Sequence, residues 1–182
     1  MIDLTQSTTN WSREMKLRRG VWTYLLEPLV RWLPKVCSPL RVAALRAMGA
    51  KIGPRCLILP GVRVLMPWNL TLDGFVAIGR HVEIYNFAEV RIGRMTLVSQ
   101  YVYLCTGSHD YRLGNMPLTY DPIQIGAQSW LAAGTFVAPG VDIAEGCVVG
   151  AMSVVTKSLT QPWSVYAGNP CRRIKQREMA TA

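Results

Sequence analysis

Residues 125–155 read IGAQSWLAAGTFVAPGVDIAEGCVVGAMSVV, and an aliphatic residue occupies every sixth position of this stretch. The positions are Ile125, Leu131, Val137, Ile143, Val149 and Val155. Isoleucine, leucine and valine make up 47 of the 182 residues, so six hits in one phase would arise by chance about once in three thousand trials. The stretch is therefore a six-residue repeat, and such a repeat decides the fold before other signals do.

The same period runs through the earlier part of the chain in three phases. These are Ile52, Ile58, Val64 and Leu70; then Leu72, Ile78, Ile84 and Val90; then Ile92, Val98 and Leu104. Each change of phase is a two-residue insertion, which the corner of a coil can absorb. Small or compact residues, such as Cys56, Ser129 and Thr135, often stand four places after the aliphatic residue.

A period of six matches neither an α-helix nor a single strand, but it fits a short strand followed by a corner. Three such units close a triangular coil, whose large aliphatic side chains point to the axis while the smaller residues fill the corners. Successive coils then pair strand on strand, about 4.8 Å apart. The repeat therefore predicts an all-β solenoid, a parallel β-helix of about five coils. It does not fix the handedness of the coil.

Length and composition exclude several classes of protein. The 182 residues suffice for one domain with a sizeable core, and a chain that is 50% hydrophobic is not disordered. The apolar runs are short and interrupted, so no segment is predicted to span a bilayer, and the first residues do not resemble a secretory signal. Five scattered cysteines without a CxxC pair indicate reduced, packed thiols and no metal site. We therefore expect a cytoplasmic protein.

The positive charge is concentrated at the amino-terminal end. Residues 1–51 hold nine Lys and Arg against three acidic residues, a net charge of +6 out of +9 for the whole chain. This segment does not follow the repeat, and it carries three tryptophans and three prolines among short apolar runs. We expect a helical, amphipathic cap over the open first coil. Aromatic and basic residues together also suit peripheral contact with an anionic membrane.

Several motifs occur in a fixed order over residues 49–175. They are GAKIG (49–53), PWNLTL (67–72), YLCTGSHD (103–110), PIQIG (122–126), FVAPGV (136–141), VVGAMSVV (148–155) and GNPCRRI (168–174). This set resembles the hexapeptide-repeat acyltransferases, and among them the colanic-acid-type exopolysaccharide O-acetyltransferases and the maltose, galactoside and nodulation-factor group. The resemblance implies a left-handed β-helix, acetyl-CoA as co-substrate, a saccharide acceptor, and homotrimers with active sites between subunits.

His109 stands where the repeat stops. Residues 110–122 do not fit the hexad, and insertions into a solenoid commonly lie on its binding side. Imidazole changes charge near neutral pH and can take the proton from a sugar hydroxyl as the oxygen attacks a thioester. With the resemblance, His109 is predicted to be the catalytic general base. The residues alone leave open which group orients it, with adjacent Asp110 as one candidate.

The resemblance also implies a donor site on the later coils. Trp130 corresponds to a tryptophan in the cleft wall, and the amide of Ala133 is expected near the thioester, where it could stabilise an oxyanion. The remaining residues implied for the pantetheine arm and the phosphates of CoA are Ala151, Thr156, Lys157, Arg172 and Lys175. Cationic side chains among them suit phosphate oxygens.

The acceptor residues are less well defined by the sequence. Asn86 resembles an acceptor-binding asparagine of the sugar acetyltransferases, and Tyr85, Asp110 and Tyr111 lie beside it or in the extruded loop. Tyrosine rings can stack on sugars, although the same rings can serve packing alone. His81 occupies a regular unit and is predicted to face solvent.

The chain is thus divided into a cap over residues 1–51, a β-helix over 52–160 with an extruded loop at 110–122, and a tail over 161–182 that ends in a short helix over 172–178. Three other functions stay open: transfer to an amino sugar, use of another acyl donor, and a catalytically silent scaffold. The γ-class carbonic anhydrases share the β-helix, but catalytic zinc commonly takes three protein ligands and this chain has two histidines. Basic residues match no nucleic-acid motif, so no nucleic acid is expected.

Overall fold

The computed structural model describes residues 2–6 and 11–180. Its helices are α1 (Arg13–Gly20), a π-helical segment (Val21–Leu26), α2 (Glu27–Arg31) and α3 (Ser38–Ala47), with 3₁₀ turns at Leu4–Gln6, Lys35–Cys37 and Pro67–Asn69. The strands are β1 (Lys51–Ile52), β2 (Leu57–Ile58), β3 (Arg63–Val64), β4 (Leu70–Leu72), β5 (Ala77–Ile78), β6 (Glu83–Tyr85), β7 (Val90–Ile92), β8 (Leu97–Val98), β9 (Tyr103–Cys105), β10 (Gly107–His109), β11 (Leu118–Tyr120), β12 (Ile123–Ile125), β13 (Trp130–Leu131), β14 (Phe136–Val137), β15 (Asp142–Ile143), β16 (Val148–Val149), β17 (Val154–Val155), β18 (Ser164–Ala167) and β19 (Arg172–Gln176).

The short strands stack into the three walls of a solenoid. The first sheet has the order β1-β4-β7-β12-β15, the second β2-β5-β8-β13-β16-β18-β19, and the third β3-β6-β9-β14-β17. Every neighbouring pair is parallel except β18 with β19. Five coils are complete, and residues 159–171 add most of a sixth, so the coil count is slightly higher than the five predicted.

The core lies on the axis, where the repeat places its aliphatic residues. Leu131, Val137, Val149 and Val155 are fully buried, as are the aliphatic residues of the earlier phases. The corner hydroxyls are buried too, and they donate to backbone carbonyls of their own or a neighbouring coil: the Thr135 hydroxyl donates to the carbonyl of Ala132 at 2.8 Å, and the Thr96 hydroxyl to that of Gly126 at 3.0 Å. Buried hydroxyls need such partners, which explains why serine and threonine are tolerated inside the coil.

Side chains of the helical segment close the open end of the first coil. Trp22 Nε1 donates to the carbonyl of Val64 at 2.6 Å, and Arg46 Nη2 donates to the carbonyl of Ile52 at 2.6 Å. At Ile58, Ser38 Oγ accepts from the amide and Arg41 Nη1 donates to the carbonyl. The three walls each receive at least one such bond. Exposed strand edges invite pairing with other chains, and this cap removes that hazard.

Helix α3 begins at Ser38, because Pro39 is compatible with the first turn of a helix. Gly49 follows its end with φ +98°, and its amide bonds the carbonyl of Arg46 at 2.8 Å. Glycine adopts this left-handed conformation without steric cost, which explains why the helix stops there. Within residues 2–6 and 11–180, no helix combines the length and the apolar character needed to cross a bilayer.

The far end of the solenoid corrects one prediction. The tail does not form a helix over 172–178: Arg172–Gln176 is strand β19, which pairs antiparallel with β18. Strand β18 would otherwise leave one edge of the second sheet unpaired. Satisfying those backbone groups outweighs the modest helix propensity of arginine, lysine and glutamine.

Candidate active site

The break in the repeat forms a β-hairpin that leaves the solenoid between the third and first sheets. Strands β10 and β11 pair antiparallel, with His109 opposite Leu118. The hairpin therefore begins at Gly107, three residues before the predicted loop. A Cβ at Gly107 would lie only 2.8 Å from a ring carbon of Phe87, so glycine allows the hairpin to pack closely on that ring.

His109 is exposed and oriented by the tip of its own hairpin. Its Nδ1 lies 2.7 Å from the carbonyl oxygen of Met116. Because a carbonyl only accepts, this contact places the proton on Nδ1 and leaves the Nε2 lone pair free in the neutral imidazole. Met116 itself has φ +40°, a conformation that is uncommon for a non-glycine residue in general, although several coil corners of this protein adopt positive φ as well. The group that orients His109, open at the level of sequence, is a backbone carbonyl.

Asp110 is engaged elsewhere. Its carboxylate accepts from Arg112 Nε and Nη2, each at 2.8 Å, and from the Arg112 amide at 3.1 Å. These hydrogen bonds lower the pKa of Asp110 to about 2. Asp110 thus fixes the turn of the hairpin. Tyr111, between the two partners, is 81% exposed at the tip.

Most of the predicted donor residues lie on the second sheet and its corner with the third. Trp130 points outward from β13, and its indole Nε1 donates to Ser99 Oγ at 2.9 Å. The strand register aligns Trp130 with Val148, Val165 and then Lys175, a span of three strand spacings, about 14 Å. Trp130 and Lys175 therefore mark two ends of one surface.

Ala133 and Ala151 occupy equivalent corner positions on consecutive coils, and Arg172 lies at the edge of the same sheet on β19. The amides of Ala132 and Gly134 both bond backbone carbonyls. Among the backbone hydrogen bonds of the described residues, none involves the amide of Ala133. An amide left available at a rigid corner is the type of donor that can stabilise an oxyanion.

Thr156 and Lys157 are separated from that group. They follow β17 at the corner between the third and first sheets, the same corner from which the His109 hairpin emerges two coils earlier, after β9. In a triangular coil this corner lies opposite the second sheet, and the buried core stands between them. One chain thus carries two half-sites: the hairpin half-site around His109, and the coil half-site around Trp130 and Ala133.

The structure contradicts the predicted role of Asn86 in binding the acceptor. Its side chain is fully buried, its Oδ1 accepts from the Met66 amide at 2.9 Å, and its Nδ2 donates to the Met66 carbonyl at 2.8 Å. The amide is therefore committed to joining two coils and is not available to an acceptor. The sequence could not separate the two roles, because an asparagine suits either.

Tyr85 does line a cavity, together with residues that the sequence did not single out. The cavity has a volume of about 130 Å³ and lies between the helical segment and strands β3 and β6. Its polar side chains are Arg19, Thr23, Glu27, Arg63, Glu83 and Tyr85. Arg19 Nε and Glu27 Oε1 are buried there without a hydrogen-bond partner among the residues that the structure describes. Glu27 could have been noticed in the sequence as a lone acidic residue within an apolar and basic segment.

No protein-family profile matches the sequence. WcaF of Escherichia coli (strain K12), named as a colanic acid biosynthesis acetyltransferase, is 42% identical over 158 residues, which cover 86% of each chain. The chain belongs to the hexapeptide-repeat acetyltransferases.

Solved structures show the same fold. The maltose O-acetyltransferase of Clostridium difficile 630 superposes with a TM-score of 0.79 at 26% identity, covering 91% of this chain and 90% of its own. A hexapeptide-repeat acetyltransferase of Vibrio cholerae, solved with acetyl-CoA, gives 0.82 at 22% identity, covering 94% and 93%. The left-handed parallel β-helix with a helical amino-terminal part is confirmed. The chain is therefore an acyltransferase.

A wider groove on the first sheet does not suit the acetyl-CoA that the sequence predicts as co-substrate. It has a volume of about 470 Å³, and its charged side chains are Asp73, Asp142, Glu145 and Arg91. Arg91 is already paired with Asp73 at 3.1 Å. The excess of carboxylates would repel the phosphates of CoA, whereas the coil half-site offers Arg172 and Lys175.

The acetyltransferase shows no metal cluster among the residues that the structure describes. Cys105, the cysteine nearest His109 in the chain, is buried, and its thiol lies 3.2 Å from the carbonyl of Gly107. Burial raises the pKa of the Cys147 and Cys171 thiols, so both stay protonated and unreactive near neutral pH.

Proposed function

We propose that this acetyltransferase transfers the acetyl group of acetyl-CoA to a saccharide hydroxyl, with His109 as general base. The observation that carries the proposal is the bond between His109 Nδ1 and the Met116 carbonyl, which leaves Nε2 as the acceptor for a proton. A saccharide acceptor, in exopolysaccharide assembly or on a lipid-linked precursor, is supported by the similarity to WcaF and to a maltose O-acetyltransferase.

The reaction proceeds in a ternary complex. His109 Nε2 takes the hydroxyl proton as the acceptor oxygen attacks the thioester carbon, and the carbonyl oxygen becomes an oxyanion beside the amide of Ala133. Collapse of this intermediate breaks the carbon–sulfur bond, and the imidazolium returns its proton to the leaving thiolate to give free CoA. The two substrates give the two products without a covalent acetyl-enzyme intermediate. The burial of Cys105 supports this route, because a buried thiol is poorly placed to act as a nucleophile.

The proposed assembly is a homotrimer. The hairpin half-site and the coil half-site lie on opposite sides of one solenoid, so they meet only when the hairpin of one subunit approaches the second sheet of the next. The outward side chains of that sheet are largely apolar: Leu57, Ala77, Leu97, Trp130, Val148 and Val165. A head-to-tail contact of this kind closes into a ring, and a ring of three would complete three active sites.

The acceptor is proposed to enter the cavity lined by Tyr85. Its unpartnered Arg19 and Glu27 atoms, together with Arg63 and Glu83, offer both donors and acceptors, as the hydroxyl groups of a sugar require. Tyr85 connects the cavity to the hairpin, because Gly107 packs against its ring. All five cysteines are unpaired, which supports the proposed cytoplasmic location, where thiols stay reduced.

The experiment that tests the function measures CoA release from acetyl-CoA in the presence of maltose and a panel of soluble saccharides. Replacement His109→Ala is expected to lower kcat by about 10²- to 10⁴-fold, the usual contribution of a general base. The matched control is His81→Ala, since His81 lies in a regular coil and stacks on Tyr101 with ring centroids 5.2 Å apart. Undiminished activity of the His109 variant, or a stable acetyl group on Cys105, would refute the mechanism.

A further inference from the structure

The helical segment exposes a row of large apolar side chains. Leu17, Val21, Leu25 and Leu29 recur every four residues, and all four are exposed. Tyr24 and Trp32 flank this row and are exposed as well. We call these six residues the helix stripe. Contiguous apolar surface of this kind commonly marks an interaction site.

The backbone keeps the helix stripe in line. On an α-helix of 3.6 residues per turn, a four-residue repeat drifts by about 40° per step. The π-helical segment at Val21–Leu26 has wider turns, which returns the following residues toward the same side. The opposite side carries Trp22 and Glu27, which are buried against the first coil. The helix stripe therefore faces away from the solenoid.

Neither half-site uses this surface. The hairpin half-site lies between the third and first sheets, and the coil half-site lies on the second sheet, whereas the helix stripe covers the outer side of the end cap. In the proposed trimer, cyclic symmetry would set three such stripes at one level along the three-fold axis. Three equivalent surfaces facing one side suit an extended planar partner, which all three can contact together.

Charge identifies that partner. Arg13, Lys16 and Lys35 are exposed at the two ends of the helix stripe, while Glu14 is exposed beside Arg13. Residues 1–51 carry a net charge of +6. A second copy docked on the same surface would bring like charges together, which is unfavourable, whereas anionic headgroups complement them. Tyrosine and tryptophan at the edge of an apolar surface are also typical of the membrane interface.

We propose that the helix stripe docks this acetyltransferase onto the surface of an anionic phospholipid bilayer. The apolar side chains enter the boundary between headgroups and acyl chains, and the flanking cations contact the headgroups. This inference goes beyond the proposed reaction and does not depend on it. It would bring the active sites to the surface where a lipid-linked saccharide is presented.

The test is co-sedimentation of the full-length protein with vesicles of phosphatidylcholine alone and with about one third phosphatidylglycerol. Binding is expected with the anionic vesicles, weakening as salt is raised, because exposed charges are screened. The variant Leu29→Asn should lower the partition coefficient by about tenfold, from the loss of one buried leucine. Arg13→Gln with Lys16→Gln should lower it by a similar factor at low salt.

The matched control is Ile174→Asn on β19, because Ile174 is 61% exposed and Leu29 is 64% exposed, but only Leu29 belongs to the helix stripe. Circular dichroism and CoA release on a soluble saccharide verify that the variants are folded and active. Three results would overturn the proposal: no binding to anionic vesicles, equal loss with the Ile174 control, or a changed oligomeric mass of the Leu29 variant. The last would show that the stripe contacts another copy of the chain.

Discussion

The two half-sites are built in different ways. The coil half-site rests on stacked strands whose positions are set by the six-residue repeat, and its residues occupy equivalent places on consecutive coils. The hairpin half-site lies where the repeat is interrupted. Its geometry comes from local bonds: His109 to the Met116 carbonyl, and Asp110 to Arg112. In the proposed reaction, the rigid surface would position the thioester and the exposed hairpin would bring the base to it.

This division has a consequence for the reaction. The surface proposed for the co-substrate follows a fixed line across the strands from Trp130 to Lys175, and that line contains no histidine. The hairpin supplies the histidine but lies on the other side of the chain. The active site is therefore proposed to exist only in the assembly. Variants that damage one half-site at a time test this arrangement.

Mixing two defective chains should give the largest effect. A trimer of His109→Ala chains lacks the base, and a trimer of Trp130→Ala chains has a damaged donor surface. When the two chains are co-expressed in equal amounts, about one quarter of the interfaces combine an intact hairpin with an intact second sheet, if subunits assort at random. When acetyl-CoA is held below its KM, CoA release should then recover to roughly a quarter of the wild-type rate, compared with about a tenth for the Trp130→Ala trimer alone.

The control for this experiment is the double variant, His109→Ala with Trp130→Ala on one chain, co-expressed with the His109→Ala chain. No interface of that mixture contains an intact hairpin, so no recovery is expected. Absence of recovery in the first mixture, with trimers present by light scattering, would show that each active site is built within one chain.

Trp130 alone should have the next largest effect. Replacement by alanine removes an outward indole from the proposed path of the pantetheine arm, and we expect the KM for acetyl-CoA to rise by about tenfold with little change in kcat. Leu97→Ala is the matched control, because Leu97 is the neighbour of Trp130 on the same sheet, with 44% of its surface exposed against 43%. An equal rise in both variants would mean that the tryptophan has no specific role.

The sequence predicted the positions of residues on the regular coils better than the geometry of the hairpin, for a physical reason. A repeat fixes strand pairing, and pairing aligns Trp130, Ala133 and Ala151 wherever the coil is regular. The interruption at His109 carries no periodicity, so the backbone carbonyl of Met116 could not be found from residue types. Backbone groups have no sequence signature, and this is why the orienting partner of His109 stayed open.

The two ends of the chain show the same limit. The cap was predictable as a helical segment, since an open coil needs cover, but the bonds from Trp22 and Arg46 to the first coil were not. The tail was predicted as a helix from its local composition and is strand β19 instead.

Asn86, inside the solenoid, was assigned to the acceptor, but its side-chain amide is hydrogen-bonded to the backbone amide and carbonyl of Met66. In each case tertiary hydrogen bonding decided the outcome, and it cannot be read from local propensity.

Loosening the hairpin should produce a smaller effect. Arg112→Ala removes both side-chain bonds to Asp110, so the turn that carries Met116 and orients His109 becomes less ordered. We expect kcat to fall by roughly three- to tenfold while the KM for acetyl-CoA stays unchanged, because positioning of the base is impaired and the donor surface is not. Arg80→Ala, an exposed arginine in a regular coil, should leave both constants unaltered. A change in the KM for acetyl-CoA alone would contradict this assignment.

The smallest expected effect concerns the pH dependence of kcat. It distinguishes Asp110 and Arg112, which hold the hairpin turn, from His109, the proposed base. The bonds from Arg112 lower the pKa of Asp110 to about 2, against an ordinary value of 3.8. A carboxyl whose pKa is lowered on folding stabilises the folded state above its unfolded pKa, and that contribution is lost as pH falls through the folded value. Asp110 is therefore a carboxylate at every pH from 5 to 9.

Replacement Asp110→Asn should lower kcat a few-fold at all these pH values without moving the midpoints of the pH–rate profile. A displaced midpoint would mean that Asp110 is coupled to the proton transfer itself, and the local pairing with Arg112 would no longer explain its place beside His109.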